Sequence, residues 1–157
     1  MTNLPLTDEQ LAAVSQMTGL EFLRFAFALP SDQRPPVIGD LFGMDLVSLE
    51  EGHASFSIES RPAAANPLGS LHGGACATLL DSVMGCAVHT TLGPGVGYGT
   101  LELKVNYIRT VPVDGRRLVG TGSIIHVGRS TATAEGKVVD PDGRLVAHGT
   151  TTCLIYS

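Results

Sequence analysis

The spacing of apolar residues changes after a proline-rich connector, and the change predicts two kinds of structure. Before it, apolar residues recur at helical spacing over residues 11–17, and a second apolar run covers residues 20–28. Residues 7–10, Thr-Asp-Glu-Gln, match a capping box, which favours a helix start. We therefore predict a helical N-terminal extension over residues 1–36 and a main domain over residues 37–157.

The main domain reads as two short strands, one long helix and four further strands. In chain order we predict these elements over residues 42–49, 53–60, 73–90, 100–111, 117–127, 130–139 and 145–156. Consecutive strands joined by tight turns form an antiparallel sheet. A helix that is apolar on nearly every side cannot lie on one face of a flat sheet, because its outer side would be wet. The predicted fold class is therefore α+β, with a curled antiparallel sheet wrapped around one long central helix. Any apolar side left uncovered would need a second subunit.

Asp81 is the only formally charged residue between Arg61 and Glu102, and it lies within the predicted apolar helix. An isolated carboxylate in apolar surroundings costs several kcal/mol unless something compensates for it. We therefore expect Asp81 to be functional, as a general base or as a nucleophile.

The start of the same helix supplies complementary chemistry. His72-Gly73-Gly74 places two glycines where the first N–H groups of a helix lack intrahelical partners. These donors, with the positive end of the helix dipole, can polarise a carbonyl oxygen. The side-chain amide of Asn66 can hold a water molecule or a substrate oxygen.

Helix geometry separates these two groups. Gly73 and Asp81 are eight residues apart, which corresponds to about 12 Å along a helix. One chain is therefore not expected to bring both to the same carbonyl carbon. Two such helices packed antiparallel about a two-fold axis would do so, which predicts a homodimer with shared active sites. Gly74 lies on the face of Asp81 and leaves room for a thin substrate.

Taken together, Asn66, His72-Gly73-Gly74 and Asp81 resemble the signature of hotdog-fold acyl-CoA thioesterases, in particular those of the phenylacetate-pathway type. The resemblance covers roughly residues 38–157. It implies a hotdog fold and the hydrolysis of acyl-CoA or aryl-CoA thioesters to free acid and CoA. It implies no metal and no cofactor, since CoA is part of the substrate.

The resemblance also implies a role for each matching residue. The backbone N–H of Gly73, with help from His72, would polarise the thioester carbonyl. Asp81 of the neighbouring subunit would activate water or attack the carbonyl directly. Asn66 would position the water or the thioester, and Thr100 would assist the carboxylate.

Binding of CoA and assembly are implied in the same way. Family members bind the nucleotide end of CoA through basic and hydroxyl residues near strand ends. Arg129, Ser130 and Thr131 fit this description best, and Arg109 is a weaker candidate. The family commonly forms dimers of dimers, so we expect a homotetramer.

Two other functions stay open from the sequence. A hotdog enoyl-CoA hydratase or dehydratase usually needs a histidine paired with a carboxylate, and here the HGG-to-Asp arrangement favours hydrolysis. A non-catalytic acyl-CoA-binding protein would bind the thioester without cleaving it. His72 and Cys76 are four residues apart, but a zinc site usually needs three or four protein ligands, so we expect Cys76 to be a small buried residue.

Charge and composition exclude several kinds of partner. The formal net charge is −5, and although residues 104–157 are mildly basic, they lack the clustered Lys and Arg of a nucleic-acid-binding surface. No apolar stretch approaches the roughly 20 residues of a membrane span. The first residues lack a basic segment followed by an apolar one, and the three cysteines form no even framework. We expect a cytoplasmic protein with reduced thiols that binds neither nucleic acid nor membranes.

Overall fold

A computed structural model of the chain describes residues 8–30, 33–34 and 36–156. The helices are α1 (Asp8–Ser15), α2 (Gly19–Ala28), α3 (Ile38–Phe42) and α4 (Gly73–His89), and a 3-10 turn covers Pro62–Ala64. The strands are β1 (Asp45–Glu50), β2 (His53–Glu59), β3 (Gly97–Tyr107), β4 (Arg117–Val127), β5 (Thr131–Val139) and β6 (Leu145–Tyr156). The predicted capping box at residues 7–10 includes Thr7, which lies outside the described residues.

The six strands form one antiparallel sheet in the order β1-β2-β4-β5-β6-β3. Helix α4 packs against β2, β3, β4, β5 and β6, so the sheet curls around it. The predicted α+β hotdog architecture, with a curled sheet around one long helix, is confirmed. Strands β1 and β3 are the two edges of the sheet, and this position of β3 matters for the site described below.

The core lies between α4 and the concave face of the sheet. Leu79, Leu80, Val83 and Met84 are fully buried along the helix. The sheet approaches the helix so closely at Gly122 that a Cβ atom there would overlap the main-chain carbonyl of Val83. Interiors of this kind are close-packed, so the position of α4 relative to the sheet is well determined. The active-site candidates on α4 therefore stand on a rigid element.

The predicted boundaries of the first and third strands are wrong in detail. Phe42, predicted as the first residue of a strand, is instead the last residue of helix α3, because Gly43 adopts a left-handed conformation (φ 59°) that ends the helix, and β1 begins only at Asp45. Strand β3 begins at Gly97, three residues before its predicted start at residue 100. It ends at Tyr107, because Ile108 and Arg109 both donate to the carbonyl of Val146 and so leave the regular ladder.

The N-terminal extension contains two helices, and α2 is docked on the main domain. The N–H of Gly19 donates to the carbonyl of Leu92 at 2.9 Å, directly beyond the end of α4. The rings of Phe22 and His89 lie 5.6 Å apart, and those of Phe27 and Phe56 lie 5.1 Å apart. The division between extension and domain near residue 36 stays a prediction.

Across the described part of the chain, no helix is both long enough and apolar enough to span a membrane.

Candidate active site

Asp81 lies half-buried in the middle of α4 and is held by a residue of β3. The hydroxyl of Thr100 donates a hydrogen bond of 3.0 Å to Oδ1 of Asp81. No ion pair joins Asp81 to any residue that the structure describes. The carboxylate is therefore oriented by a neutral donor and keeps lone pairs for a water molecule or a substrate.

The start of α4 is organised by His72, which is the N-cap residue. Its Nδ1 accepts a hydrogen bond of 2.8 Å from the N–H of Gly74, so in the neutral ring the proton lies on Nε2. The N–H of His72 donates to the carbonyl of Ala64 at 2.8 Å, which fixes the entry of the chain into the helix. With Gly74 capped in this way, the N–H of Gly73 has no hydrogen-bond acceptor within the described ranges.

A cavity of about 340 Å³, which we call the Gly73 cavity, opens at this helix start. Its walls include Asn66, Ser70, Gly73, Tyr107 and Arg109. The ring of Tyr107 packs against Gly73, where an added Cβ atom would lie 3.1 Å from two ring carbons. Two of the predicted site residues, Asn66 and Arg109, thus line the same cavity as Gly73.

The side chain of Asn66 also stabilises its own loop. Its Oδ1 accepts from the N–H groups of Leu68, at 2.9 Å, and Ser70, at 3.2 Å. Its Nδ2 donates to the hydroxyl of Ser70 at 2.9 Å. These bonds form an Asx-type turn, and they leave one N–H of the amide for another acceptor. The predicted role of Asn66 toward water or the thioester stays a prediction.

A second and larger cavity, of about 690 Å³, lies beside Asp81. We call it the Asp81 cavity. Asp81, Ser82, Cys86, Tyr98 and Thr100 line one side of it, and residues of α2, α3 and the segments next to them line the other. Burial raises the pKa of the Cys86 thiol to about 12, and the charge of Asp81 adds to this effect. Cys86 is therefore a neutral thiol at physiological pH.

The Gly73 cavity and the Asp81 cavity share no lining residue in the part of the chain that the structure describes. Gly73 and Asp81, which are predicted to act on the same thioester carbonyl, thus line separate cavities within a single copy. This matches their separation of about 12 Å along the helix.

Strand β3 runs alongside α4 in the opposite direction and connects these two places. Thr100 of β3 contacts Asp81, and seven residues later Tyr107 contacts Gly73, eight residues earlier on α4. Since β3 is an edge strand, both contacts lie at the open border of the sheet. The two halves of the candidate site therefore lie at opposite ends of one exposed border.

The remaining predicted binding residues lie at the surface. Arg129 and Ser130 lie in the exposed turn between β4 and β5, and Thr131 is the first residue of β5; a bond of 2.8 Å from the N–H of Gly128 to the carbonyl of Thr131 closes the turn. Thr131 pairs with Leu154 of β6, which in turn pairs with Gly99, next to Thr100. The turn therefore lies at the end of the sheet that carries the Asp81 cavity, and its role in CoA binding stays a prediction.

Cys76 does not form a catalytic pair with His72, which lies four residues before it. Among the described residues, no three His, Cys, Asp or Glu side chains lie close enough to hold a metal ion. Cys76 is buried, and burial raises the pKa of its thiol to about 11. The Nδ1 atom of His72 is already bonded to Gly74, so it does not activate Cys76.

Sequence reasoning missed Tyr107 and the wall that α2 contributes to the Asp81 cavity. A β-bulge between Thr100 and Glu102 shifts the alternation along β3, so the pattern did not indicate that Tyr107 faces the helix. The apolar run over residues 20–28 predicts a helix, but which surface that helix contacts depends on tertiary packing that no local pattern encodes.

Similarities to known proteins identify the family of this chain. The family model described as the thioesterase superfamily matches residues 68–147, which include the start of α4, Asp81 and Thr100. Among curated proteins, the chain is 26% identical over 107 residues to a 1,4-dihydroxy-2-naphthoyl-CoA hydrolase of Listeria monocytogenes. That match covers 68% of this chain and 85% of the relative.

Two solved structures extend the likeness to the whole fold. The conserved protein PA5202 from Pseudomonas aeruginosa is 34% identical with a TM-score of 0.72, covering 82% of this chain and 100% of the other. The phenylacetic acid degradation protein PaaI from Thermus thermophilus, solved as a mutant, is 28% identical with a TM-score of 0.69. That likeness covers 74% of this chain and 96% of the other. The resemblance to PaaI-like hotdog thioesterases is confirmed, as is the predicted enzyme class of thioester hydrolase, and the chain belongs to the thioesterase superfamily.

Proposed function

We propose that this chain hydrolyses acyl-CoA or aryl-CoA thioesters to the free acid and CoA, in active sites that two copies share. The observation that carries the proposal is the Asp81 carboxylate, which is oriented by Thr100 at 3.0 Å, is not paired with a described cation and borders an open cavity. The naphthoyl-CoA hydrolase among its relatives supports a CoA thioester as the substrate.

The edge strand β3 supports the sharing of sites. It is 11 residues long, and one side of its backbone pairs with no strand in the described ranges. A long unpaired edge is a template for pairing with a second copy. Thr100 contacts Asp81, and Tyr107 contacts Gly73. If the β3 strands of two copies pair antiparallel about a two-fold axis near Leu103, Gly73 of one copy therefore comes close to Asp81 of the other.

The exposed side of α4 fits the same arrangement. The residues that are only half-buried on the helix include Gly74, Ala77, Thr78 and Ser82, on the same side as Asp81. Their small side chains allow a second helix to approach closely, and they leave a narrow channel between the copies. An apolar helix with one uncovered side needs such a partner.

The proposed reaction begins with polarisation of the thioester. The carbonyl oxygen accepts a hydrogen bond from the N–H of Gly73, whose neighbour Gly74 is capped by His72. Asp81 of the other copy takes a proton from a water molecule, and the water oxygen adds to the carbonyl carbon. The negative charge that develops on the carbonyl oxygen is stabilised by the Gly73 N–H and the positive end of the helix dipole.

Collapse of this intermediate breaks the C–S bond. The electron pair leaves with sulfur as the CoA thiolate, which takes up a proton to give the thiol, and the acyl part leaves as the free acid. In the alternative route, Asp81 attacks the carbonyl carbon itself, CoA leaves, and water then hydrolyses the mixed anhydride. Thr100 orients the carboxylate in both routes, and Asn66 positions the water or the thioester.

The nucleotide end of CoA is proposed to bind at the surface. Arg129, Ser130 and Thr131 offer a cation and two hydroxyls at the exposed junction of the β4–β5 turn with β5, and Arg109 borders the Gly73 cavity. Guanidinium groups bind phosphates through charge-assisted hydrogen bonds. The expected homotetramer and the cytoplasmic location stay predictions.

The experiment is a thiol-release assay with CoA thioesters on the wild-type protein and on Asp81→Asn. We expect the variant to lose at least about 100-fold in kcat while its thermal unfolding is little changed, since a general base contributes about that factor. Glu135→Gln makes the same chemical change at an exposed position of β5 and is expected to leave kcat unaltered. An Asp81→Asn protein that keeps more than half of wild-type kcat would refute the proposal.

A further inference from the structure

The Asp81 cavity has a second wall that comes from outside the sheet and α4. Helix α2 contributes Phe22, Leu23, Ala26 and Phe27 to it, and the residues around α3 complete it. The space is continuous from these side chains to Asp81 and Thr100. A group attached to a carbonyl beside Asp81 would therefore extend toward α2.

The wall is fixed in place at the start and in the middle of α2. Gly19 lies so close to the end of α4 that a Cβ atom there would overlap the carbonyl of His89. Thr18 and Glu21 form a reciprocal capping box, with a bond of 2.8 Å from the N–H of Thr18 to the carboxylate of Glu21. Leu23 is only 7% exposed. Helix α2 is thus a built part of the cavity.

The size of the cavity indicates a large occupant. Its volume of about 690 Å³ lies within the range of roughly 300–1,000 Å³ that is typical of sites for small organic molecules. An acetyl group would leave most of this space unfilled. Phe22, Phe27, Phe56 and Tyr98 provide aromatic surfaces against which an extended alkyl chain or an aryl ring can pack.

The charges at the cavity indicate an uncharged occupant. Two side chains of opposite sign, Arg34 and Asp40, face each other in the wall with hydrogen bonds of 2.8 and 2.6 Å. The Arg34 guanidinium lowers the pKa of the Asp40 carboxyl to about 2, so both are ionised at neutral pH and offset each other. Among the described lining residues this leaves Asp81 as the one unpaired charge, and it would repel a second carboxylate.

We propose that α2 and the segment around α3 form the binding site for the acyl group, and that this site selects large, uncharged, apolar acyl groups over short or dicarboxylic ones. The proposal rests on the proposed thioesterase function and names its substrate class. Ala26 is the specificity-determining residue, because a larger side chain there would enter the cavity from α2.

The test measures kcat/KM for acetyl-, butyryl-, decanoyl-, phenylacetyl- and succinyl-CoA. For the wild-type protein we expect decanoyl- or phenylacetyl-CoA to exceed acetyl-CoA by at least about 100-fold, since each buried methylene contributes roughly a fourfold factor. Comparing these two substrates distinguishes an alkyl from an aryl occupant. Succinyl-CoA is expected to fall at least about 10-fold below butyryl-CoA, which has the same number of carbons, because of the second carboxylate.

The variant Ala26→Phe tests whether α2 contacts the acyl group. It should lower kcat/KM for the preferred large substrate at least about 30-fold more than for acetyl-CoA, by occupying space that the large acyl group needs. Ala28→Phe makes the same change at an exposed position of α2 that does not line the cavity, and is expected to leave the ratio of the two substrates unchanged. Thermal unfolding of both variants establishes that they are folded.

The two proposals fail in different ways. If the wild-type protein cleaves none of the five thioesters, the proposed function is wrong. If it cleaves acetyl- and decanoyl-CoA with equal kcat/KM and phenylacetyl-CoA no better, or if folded Ala26→Phe changes large and small substrates by the same factor, the thioesterase function stands and the inference about α2 is overturned.

Discussion

Thr100 donates a hydrogen bond of 3.0 Å to the carboxylate of Asp81, across the gap between edge strand β3 and central helix α4. The bond joins a rigid helix to the border of the sheet. It leaves Asp81 with a defined orientation and with no ionic partner among the described side chains. The activity of Asp81 should therefore depend on the hydroxyl of its neighbour.

Thr100→Val removes the donor and keeps the branched shape of the side chain. A hydrogen bond to a charged group contributes roughly 1.5–3 kcal/mol, and part of that here serves to orient the carboxylate, so we expect kcat to fall about 10-fold. Thr100→Ser keeps a hydroxyl and should retain more activity than Thr100→Val. Equal kcat for the two variants would show that the hydroxyl does not support Asp81.

Gly73→Pro tests the proposed backbone donor directly. Gly73 is the first helical residue, where proline is tolerated, and His72 before it has φ −65° and ψ 135°, which suits a residue preceding proline. The substitution removes the N–H, and we expect kcat to fall about 100-fold, as with loss of one oxyanion donor. Thermal unfolding should establish that the variant is folded.

Gly73→Ala is the matched control for that change. It meets the same ring of Tyr107 at 3.1 Å but keeps the N–H. We expect it to be clearly more active than Gly73→Pro. If the two variants lose activity equally, crowding against Tyr107 and not loss of the donor is the cause.

Sharing of sites between copies predicts complementation. Gly73→Pro and Asp81→Asn are each expected to be inactive alone, but a hybrid dimer would contain one site with both native groups. After subunit exchange in an equal mixture, half of the dimers are hybrids, so about a quarter of wild-type activity should return. Thiol release before and after exchange, with exchange followed by native mass spectrometry, provides the measurement. Hybrids that form and remain inactive would contradict a shared site.

His89 predicts a pH dependence of stability. It lies between Phe22 and Tyr98, at 5.6 and 5.4 Å, and burial lowers its pKa below the ordinary value of 6.5. The unfolded chain therefore binds more protons between the lowered pKa and 6.5, and the free energy of unfolding should decrease as pH falls through this window.

Chemical denaturation at about pH 7.5 and at about pH 5.5, on either side of the ordinary histidine pKa, measures this effect. His89→Phe provides the comparison because it keeps an aromatic ring and does not titrate. We expect the wild-type protein to lose more stability than the variant between the two conditions. The same loss in both proteins would assign the pH dependence to other groups.

Much of the fold could be predicted because its local signals are strong. The long helix was predicted to within one residue at its C-terminal end, since the glycines after His72 and the mainly apolar run that follows them define it. The pairing of Thr100 with Asp81 was expected from the family resemblance, and the two side chains are indeed in contact. The helix α3 was missed, because its end depends on the left-handed conformation of Gly43 and not on an apolar pattern.

The cavity beside Asp81 could not be predicted for a different reason. Its walls come from residues far apart in sequence, such as Phe27 of α2 and Phe56 of β2, whose rings lie 5.1 Å apart. The apolar spacing of α2 predicts a helix with a face to bury, but it does not encode which surface receives that face. Such contacts form only when the whole domain folds.

Strand β3 presents Thr100 and Tyr107 to α4 and, in the proposed dimer, its free backbone edge to another copy. A monomer released by dilution would then carry two half-sites and no complete one. Specific activity would therefore depend on protein concentration. A low cellular concentration of the protein would by itself keep its activity low.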